Sequence, residues 1–352
     1  MRRFRWALRI ALLLVSCWLL LPTVVQAKHK KQPTNIPVES KATFMLMPEL
    51  PKDNLGGQQL GYFNLKLKAN QKRVVRIKVY NPTDHSLNIY GQVVDATTND
   101  GATINYLGQN KINTTLLASP GSKQVTVPHK QVLPSKATKW ITIKVHAPRQ
   151  GFTGIKATAI NLSANQFNQT ATIRNTYRYA IGLILNGRQL SKKHYRYLQS
   201  PNIKTRFLAN KKAAISIKTN NPDAIYLQNV KAQITLKNQK WGFITYNTTL
   251  KNGKIAPNSS FYINLLLGGK RLVPGVYNMT MKVKSRQYTK TIHKYVAVTK
   301  SQARYINRYN AAYLRNRHLI IGCVVVILGL IITFMGFRLR KRKRDSNAKN
   351  DQ

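Results

Sequence analysis

Hydrophobic and polar residues alternate with a period of two along most of the chain between residues 40 and 300. The alternation is clearest at residues 63–68, 75–79, 141–145, 215–217 and 277–283. Each segment therefore has one apolar and one polar face, which is typical of a half-buried antiparallel strand. Gly, Pro and Asn separate the segments, and no helical period of useful length precedes residue 300. The pattern predicts an all-β fold of immunoglobulin-like β-sandwiches.

An internal repeat predicts that there are two such sandwiches in tandem. Residues 77–82 (Ile-Lys-Val-Tyr-Asn-Pro) match residues 217–222 (Ile-Lys-Thr-Asn-Asn-Pro). In both copies a strand ends at an Asn-Pro turn, because proline presets φ and has no N–H for the ladder. A Gln-, Asn- and Thr-rich stretch at 164–175 separates the copies, although chance similarity between strands is an open alternative. We expect sandwich domains at 40–165 and 166–302.

The first 27 residues have the pattern of a secretory signal peptide. Four arginines precede an uncharged apolar run at 11–21, and Val-Gln-Ala at 25–27 suits signal cleavage. A lipoprotein signal is the alternative, since Leu-Val-Ser precedes Cys17. The apolar run continues past Cys17, which favours cleavage after residue 27.

The other end of the chain predicts one transmembrane helix. Residues 319–337 carry no charge, and 19 residues at about 1.5 Å each span roughly 28 Å, the thickness of a bilayer core. We expect a juxtamembrane helix at 303–318 that continues into this span, with tyrosines at 305, 309 and 313 in the interface belt or on a docking stripe. The tail at 338–352 is basic and therefore cytoplasmic. Its membrane-orienting residues are Arg338, Arg340, Lys341, Arg342, Lys343 and Arg344.

Charge changes the picture once this topology is in place. The 352 residues include 58 Lys and Arg but only 9 Asp and Glu, which gives a net charge of +49. Without the four arginines of the signal and the seven cations and two acids of the tail, 47 basic and 7 acidic residues remain. Because this excess is predicted to lie outside the cell, nucleic acid is not an expected partner. Cysteine is absent from 28–318, which favours a bacterial surface over a eukaryotic secreted domain.

Catalytic and cofactor motifs are missing from the sequence. We find no nucleophile elbow, zinc-protease motif, P-loop or dinucleotide fingerprint, and the seven histidines are scattered without metal-ligand spacing. Asn99-Asp100-Gly101 lacks the ligand pattern of a calcium loop and predicts a hairpin turn instead. The sequence therefore predicts neither an enzyme nor a cofactor.

Basic residues on the polar faces of the strands form the candidate binding site. A strongly basic surface outside a bacterium would bind the phosphates of teichoic acid and the carboxylates of peptidoglycan, with release of counterions. A merely solvated basic face, or adaptation to an acidic habitat, is the alternative. The candidate wall-binding residues are Lys66, Lys68, Arg76, Lys78 and Lys144.

The order of parts and several short motifs resemble the WxL-interacting proteins of Gram-positive bacteria. In the first domain the resemblance lies in residues 44–48 (Phe-Met-Leu-Met-Pro), 61–65 (Gly-Tyr-Phe-Asn-Leu), 79–81 (Val-Tyr-Asn), 97–101 (Thr-Thr-Asn-Asp-Gly) and 104–106 (Ile-Asn-Tyr). In the second domain it lies in residues 175–182 (Asn-Thr-Tyr-Arg-Tyr-Ala-Ile-Gly) and 274–277 (Pro-Gly-Val-Tyr). The chain departs from the family at 152–155, where a second glycine is usual.

The resemblance implies an N-terminal peptidoglycan-binding domain, a host-binding domain, a membrane helix and a short basic tail. It also implies that the partners are secreted WxL-domain surface proteins, with host matrix or serum proteins as further partners. We therefore expect a single-pass membrane scaffold whose ectodomain lies within the cell wall. The alternative function is an adhesin that binds host extracellular matrix directly through its second domain.

Overall fold

The computed structural model describes residues 44–165 and 176–350. The predicted signal peptide at 1–27, the lipobox cysteine Cys17 and most of the separating stretch at 164–175 lie outside the described residues. The described part is all-β apart from the C-terminal helices and three short 3₁₀ turns, at Gln58–Leu60, Gly121–Gln124 and Lys192–His194.

The first sandwich consists of two facing sheets and one small hairpin. Its strands are β1 (Met45–Glu49), β2 (Phe63–Lys66), β3 (Lys72–Tyr80), β4 (Leu87–Asp95), β5 (Thr97–Asn99), β6 (Thr103–Asn105), β7 (Val125–Thr126), β8 (Lys130–Leu133), β9 (Thr138–His146), β10 (Ile155–Asn165) and β11 (Thr176–Asn186). One sheet has the order β1-β3-β9-β7, the other β2-β11-β10-β4-β8, and β5 pairs with β6.

The second sandwich repeats this design with fewer strands. Its strands are β12 (Ile203–Phe207), β13 (Ala213–Asn221), β14 (Leu227–Asn238), β15 (Thr245–Ile255), β16 (Ser259–Leu266), β17 (Gly275–Lys284) and β18 (Thr289–Val298). They form the sheets β12-β13-β16 and β15-β14-β17-β18. The strand orders of the two sandwiches correspond, with β3 equivalent to β13, β9 to β16 and β10 to β17.

The alternation of apolar and polar residues along each strand determines which side chains are buried in the two cores. The alternating apolar residues at 63–67, 75–79, 141–145, 215–217 and 277–283 are all buried, which confirms the predicted strands and the all-β class. The first core contains Phe63, Ile77 and Leu183, and the second contains Ile215 and Tyr277. In β9 and β17 the polar residues between them face solvent. Ser216 is the exception in β13: it is fully buried, and its hydroxyl donates to the Asn264 side-chain oxygen at 2.6 Å.

The repeated Asn-Pro turn has the same construction in both sandwiches. Asn81 is fully buried and its Nδ2 donates to the carbonyl of His85 at 2.7 Å. Asn221 is also fully buried, and its Nδ2 donates to the carbonyl of Ile225 at 2.9 Å. In each turn the asparagine amide satisfies carbonyls that the proline turn removes from the ladder. The shared geometry supports the internal repeat.

The strand after the separating stretch belongs to the first sandwich. β11 pairs with β10 over its whole length, from Ile155↔Asn186 to Asn165↔Thr176, and with β2 in parallel. Its apolar residues enter the first core. By strand pairing the first sandwich thus includes β11 and extends to residue 186, so the polar stretch at 164–175 joins two paired strands.

Two helices follow the second sandwich. Helix α1 (Lys300–Tyr309) begins with a capping box between Thr299 and Gln302. Helix α2 (Ala311–Asn350) follows, and it is long and apolar enough at 311–340 to cross a membrane. The two helices are separate where one helix at 303–318 was expected, because Asn310 has φ −79° and an extended ψ of 94°. Helix α2 also includes most of the predicted tail.

Helix α1 closes the end of the second sandwich. Ala303 and Ile306 are buried in the second core, so the exposed Tyr305 and Tyr309 face away from it. The side chain of Asn307 bonds both backbone groups of Leu272, at 2.8 Å in each direction. Contacts with the β16–β17 connection therefore fix α1, in addition to its apolar face.

Candidate functional site

The outer surface of the β1-β3-β9-β7 sheet brings several of the predicted cations together. Lys78 lies opposite Trp140 in the β3–β9 register and opposite Met47 in the β1–β3 register. Lys144 lies opposite Val74 on the same surface. We call this surface the Trp140 face; its exposed residues include Met45, Met47, Glu49, Lys72, Val74, Arg76, Lys78, Trp140, Thr142 and Lys144.

Trp140 is the centre of this face. Its side chain is 40% exposed, and the Arg76 guanidinium lies 4.9 Å from the ring centroid, within cation–π range. Arg76 also donates to Glu49, with Nε 2.7 Å from Oε2, and this hydrogen bond raises the pKa of the guanidinium. Glu49 therefore compensates Arg76, whereas Lys78 and Lys144 add net positive charge to the face.

The structure does not bring all five predicted residues onto one face. Lys66 ends β2, which pairs with β11 in the opposite sheet, and Lys68 lies in the following loop. Period-two alternation states which residues are exposed, but not which sheet of a sandwich a strand joins. Only Arg76, Lys78 and Lys144 form part of the Trp140 face, so the five residues are not one basic surface.

The Trp140 face combines two kinds of binding chemistry. A half-exposed indole offers a flat apolar surface with one polar edge, which suits the apolar face of a ring-shaped ligand. Lysine side chains, such as those beside it, can bind carboxylates or phosphates as mobile point charges. Exposed Met47 and Val74 extend the apolar part of the surface. A polymer with rings and regularly spaced anions matches this combination.

A second feature, absent from the sequence predictions, is a bonded junction between the sandwiches. The hydroxyl of Thr98, on β5, lies 2.6 Å from the hydroxyl of Ser259, on β16, and both residues are buried. The backbone N–H of Ala256 donates to the same Thr98 oxygen at 3.0 Å. Two domains that share buried hydrogen bonds of this kind are held in one arrangement.

The tip of the β5–β6 hairpin enters the second sandwich. Ala102 is 1% exposed and belongs to the second core, although it lies in the first sandwich. Its carbonyl accepts from the Lys254 N–H at 2.7 Å. Asp100 pairs with Arg206 and accepts from the Tyr262 N–H at 3.0 Å. The predicted turn at 99–101 is present, but its docking role depends on contacts far apart in sequence.

Two partly buried tyrosines, one from each sandwich, meet at the junction. The hydroxyls of Tyr106 and Tyr226 lie 2.9 Å apart, and burial raises the pKa of both phenols. Around them, small apolar residues of both sandwiches form a third buried cluster. The Ile155 N–H also donates to the Ala224 carbonyl at 2.7 Å, so the first residue of β10 bonds directly to the second sandwich.

Two protein-family models match this chain. Residues 44–164 match the peptidoglycan-binding domain of the WxL Interacting Protein, and residues 168–308 match its host-binding domain. The chain belongs to the WxL-interacting protein family. The resemblance seen in the sequence is thus confirmed, and both matched domains of the family are binding domains. The second match begins before β11, although that strand pairs within the first sandwich.

Solved structures show only a distant likeness, and no curated protein matches the chain. A chaperone–tip adhesin complex of CFA/I fimbriae is 16% identical, with 72% of this chain and 99% of that chain covered and a TM-score of 0.30. The CsuC–CsuE chaperone–tip subunit complex of Acinetobacter baumannii is 12% identical, with 72% and 98% covered and a TM-score of 0.32. Both likenesses are too distant to carry an argument about this chain.

Proposed function

We propose that this WxL-interacting protein is a membrane-anchored scaffold of the Gram-positive surface. Helix α2 crosses the membrane, with the basic tail in the cytoplasm and both sandwiches outside. The Trp140 face binds wall polymer, and the second sandwich engages secreted WxL-domain proteins and host proteins. The family's two binding domains support the wall and host parts of this proposal.

The observation that carries the proposal is the order of parts along the molecule. Strand β16 begins at Ser259, in the junction with the first sandwich, and ends at Leu266, close to the helices. Just beyond it, the Gly268 carbonyl accepts from Asn310 at 3.0 Å, where α1 meets α2. The Thr98–Ser259 contact and the helices therefore lie at opposite ends of a strand of eight residues, about 26 Å long. This order supports an arrangement in which the peptidoglycan-binding domain lies farther from the membrane than the second sandwich.

Charge supports a polymer ligand for the distal domain. The whole chain has only 9 acidic residues against 58 basic ones, so the protein is attracted to polyanions in general. The Trp140 face adds a local reason, since it combines lysines with an exposed ring. Glu49 is the one acidic residue on this face.

Binding to purified wall sacculi across a salt series tests the wall-binding part. Lys78→Gln with Lys144→Gln should weaken binding about two- to fivefold per lysine and lower the salt dependence. Lys66→Gln with Lys68→Gln is the matched control, because it removes the same charge from the same sandwich outside the Trp140 face. Equal loss in both variants would show that total charge, and not this face, determines binding. Salt-insensitive binding would refute the electrostatic mechanism.

Co-purification tests the partner. The full chain is solubilised from membranes, and the proteins bound to it are identified by mass spectrometry. Recovery of WxL-domain proteins supports the scaffold; recovery of none leaves a basic wall-binding protein without its proposed partner.

An adhesin that binds host matrix directly is the second candidate. Exposed apolar positions at 226–236 or 262–267 would favour it. In the structure the apolar residues of β14 are buried, and Leu266 is the one large hydrophobic residue of these two segments that is well exposed, at 49%. These strands thus offer little apolar binding surface. Phe243, on the β14–β15 turn, is more exposed at 81%, and Trp241 beside it is 47% exposed, but both lie at the helix end of the sandwich.

A further inference from the structure

A cavity of about 620 Å³ lies where the second sandwich, α1 and the start of α2 meet. The β16–β17 connection forms one wall with Arg271 and Pro274. Helix α1 forms the second wall, and Tyr313, Leu314 and Arg317 of α2 form the third. The volume is within the range of small-molecule sites, so a group of several heavy atoms fits it.

The lining of the cavity is strongly cationic. It contains five basic side chains and no acidic one: Arg271, Lys300, Arg304, Arg308 and Arg317. Between residues 101 and 344 the sequence has a single acid, Asp223, which is bonded to the 196–197 backbone N–H groups near the junction. None of the five cations forms an ion pair with a carboxylate in the described part of the chain. An anion in the cavity would relieve their mutual repulsion.

The walls of the cavity are fixed without a ligand. The Asn307 side chain joins α1 to Leu272, and Asn310 joins the α1–α2 bend to Gly268. The bend itself separates the two helices and leaves room between them. Because ordering has already taken place, an anion would bind with little further loss of entropy.

The position of the cavity selects the kind of anion. Arg317 precedes the uncharged segment at 319–337 by two residues, which is about 3 Å along a helix axis. Exposed aromatic rings occur at the same end: Tyr305 and Tyr309 on α1, and Trp241 and Phe243 on the β14–β15 turn. Such rings favour the level of lipid headgroups, so the cavity lies where lipid phosphates are concentrated.

On this geometry, and on the proposed membrane anchorage, we infer that the cavity binds the phosphate headgroup of an anionic phospholipid in the outer leaflet. The guanidinium groups of Arg304, Arg308 and Arg317 donate to the phosphate oxygens. Lys300 and Arg271 add charge at the mouth. The bound lipid fixes the second sandwich against the membrane surface.

Native mass spectrometry of the full chain in detergent micelles tests this inference. The probes are phosphatidylglycerol and phosphatidylcholine with identical acyl chains. Arg304→Gln with Arg308→Gln should weaken phosphatidylglycerol binding about 25-fold, at about fivefold per basic residue near a lipid surface. Both side chains are exposed, so the variant is expected to fold, which circular dichroism checks.

The control is Lys282→Gln with Lys284→Gln, which removes two exposed charges from the junction end of β17. It should leave phosphatidylglycerol binding unchanged. Equal retention of the two lipids, or an equal loss in both double variants, would overturn the inference. Displacement of phosphatidylglycerol by equimolar glycerol 1-phosphate would overturn the lipid assignment in favour of a soluble phosphate.

Alkaline extraction of membranes separates this inference from the proposed function. A chain recovered in the soluble fraction would refute membrane anchorage itself. A chain that stays in the membrane fraction and shows no preference for phosphatidylglycerol would refute only the headgroup site.

Discussion

Removing one hydroxyl should open the junction between the sandwiches. Thr98→Val keeps the shape of the side chain but removes the oxygen that accepts from the Ala256 N–H and contacts the Ser259 hydroxyl. A buried N–H without a partner costs about 1–3 kcal/mol, and the lost hydroxyl bond about 1 kcal/mol more. The chain avoids this cost of about 2–4 kcal/mol by opening the junction, where water satisfies the N–H.

Hydrogen exchange measures this opening directly. At about 1.4 kcal/mol per factor of ten, the junction should open about 30- to 700-fold more often in the variant. Amides of residues 254–256, including the Lys254 N–H that donates to Ala102, should exchange faster by the same factor. Thr142→Val is the control, because this threonine is exposed on the outer surface of β9.

Two outcomes of this experiment would refute the prediction. Unchanged exchange at 254–256 would mean that the hydroxyl of Thr98 contributes nothing to docking. An equal acceleration in β17, whose strand lies inside the second sandwich, would mean that the substitution unfolds the domain and does not open the junction.

Three further outcomes follow from local geometry. Asn81→Ala should lower the free energy of unfolding of the first sandwich by about 3–5 kcal/mol, since five hydrogen bonds are lost, whereas the exposed Asn278→Ala should leave the urea midpoint unchanged. Burial raises the pKa of the Tyr246 phenol, so the neutral phenol stabilises the folded protein. This stabilisation is complete below the ordinary tyrosine pKa of about 10 and is lost as the pH rises further. A Tm that is equal at pH 8 and at about pH 10.5 would contradict this. Gly154→Ala should destabilise the junction in thermal unfolding, because its φ is +82° and a Cβ would lie 2.5 Å from junction backbone, while Gly268→Ala, with open space, tests the backbone strain alone.

Strands and cores could be predicted from the sequence because they depend on local alternation. A period of two places alternate residues on the core-facing side of a strand, and the buried residues of β3, β9 and β17 follow this period. The repeat could be predicted as well, since Asn81 and Asn221 have the same role in equivalent turns.

Long-range pairing explains what the sequence did not predict. Lys66 joins the opposite sheet because β2 pairs with β11, about 120 residues away, and no local pattern shows this. Thr98 and Ser259 are ordinary polar residues until the fold brings them together across 161 positions. The cationic cavity likewise combines Arg271 with residues of two helices, and a bend at Asn310 that helical periodicity does not indicate.

The helix that closes the second sandwich has a mechanical consequence. In the proposed arrangement, with one domain bound to the wall and α2 in the membrane, tension would pass through the short α1 segment. Helix α1 is held by two buried residues, Ala303 and Ile306, and by the side-chain hydrogen bonds of Asn307 and Asn310. Strand β18 has ten register pairs with β17, so pulling on α2 should detach α1 before it loads β18. Strand β18 then resists in shear, because its ten register pairs with β17 lie along the pulling direction and bear the load together. Growth of the wall or turgor would therefore first extend α1 and leave both binding domains folded.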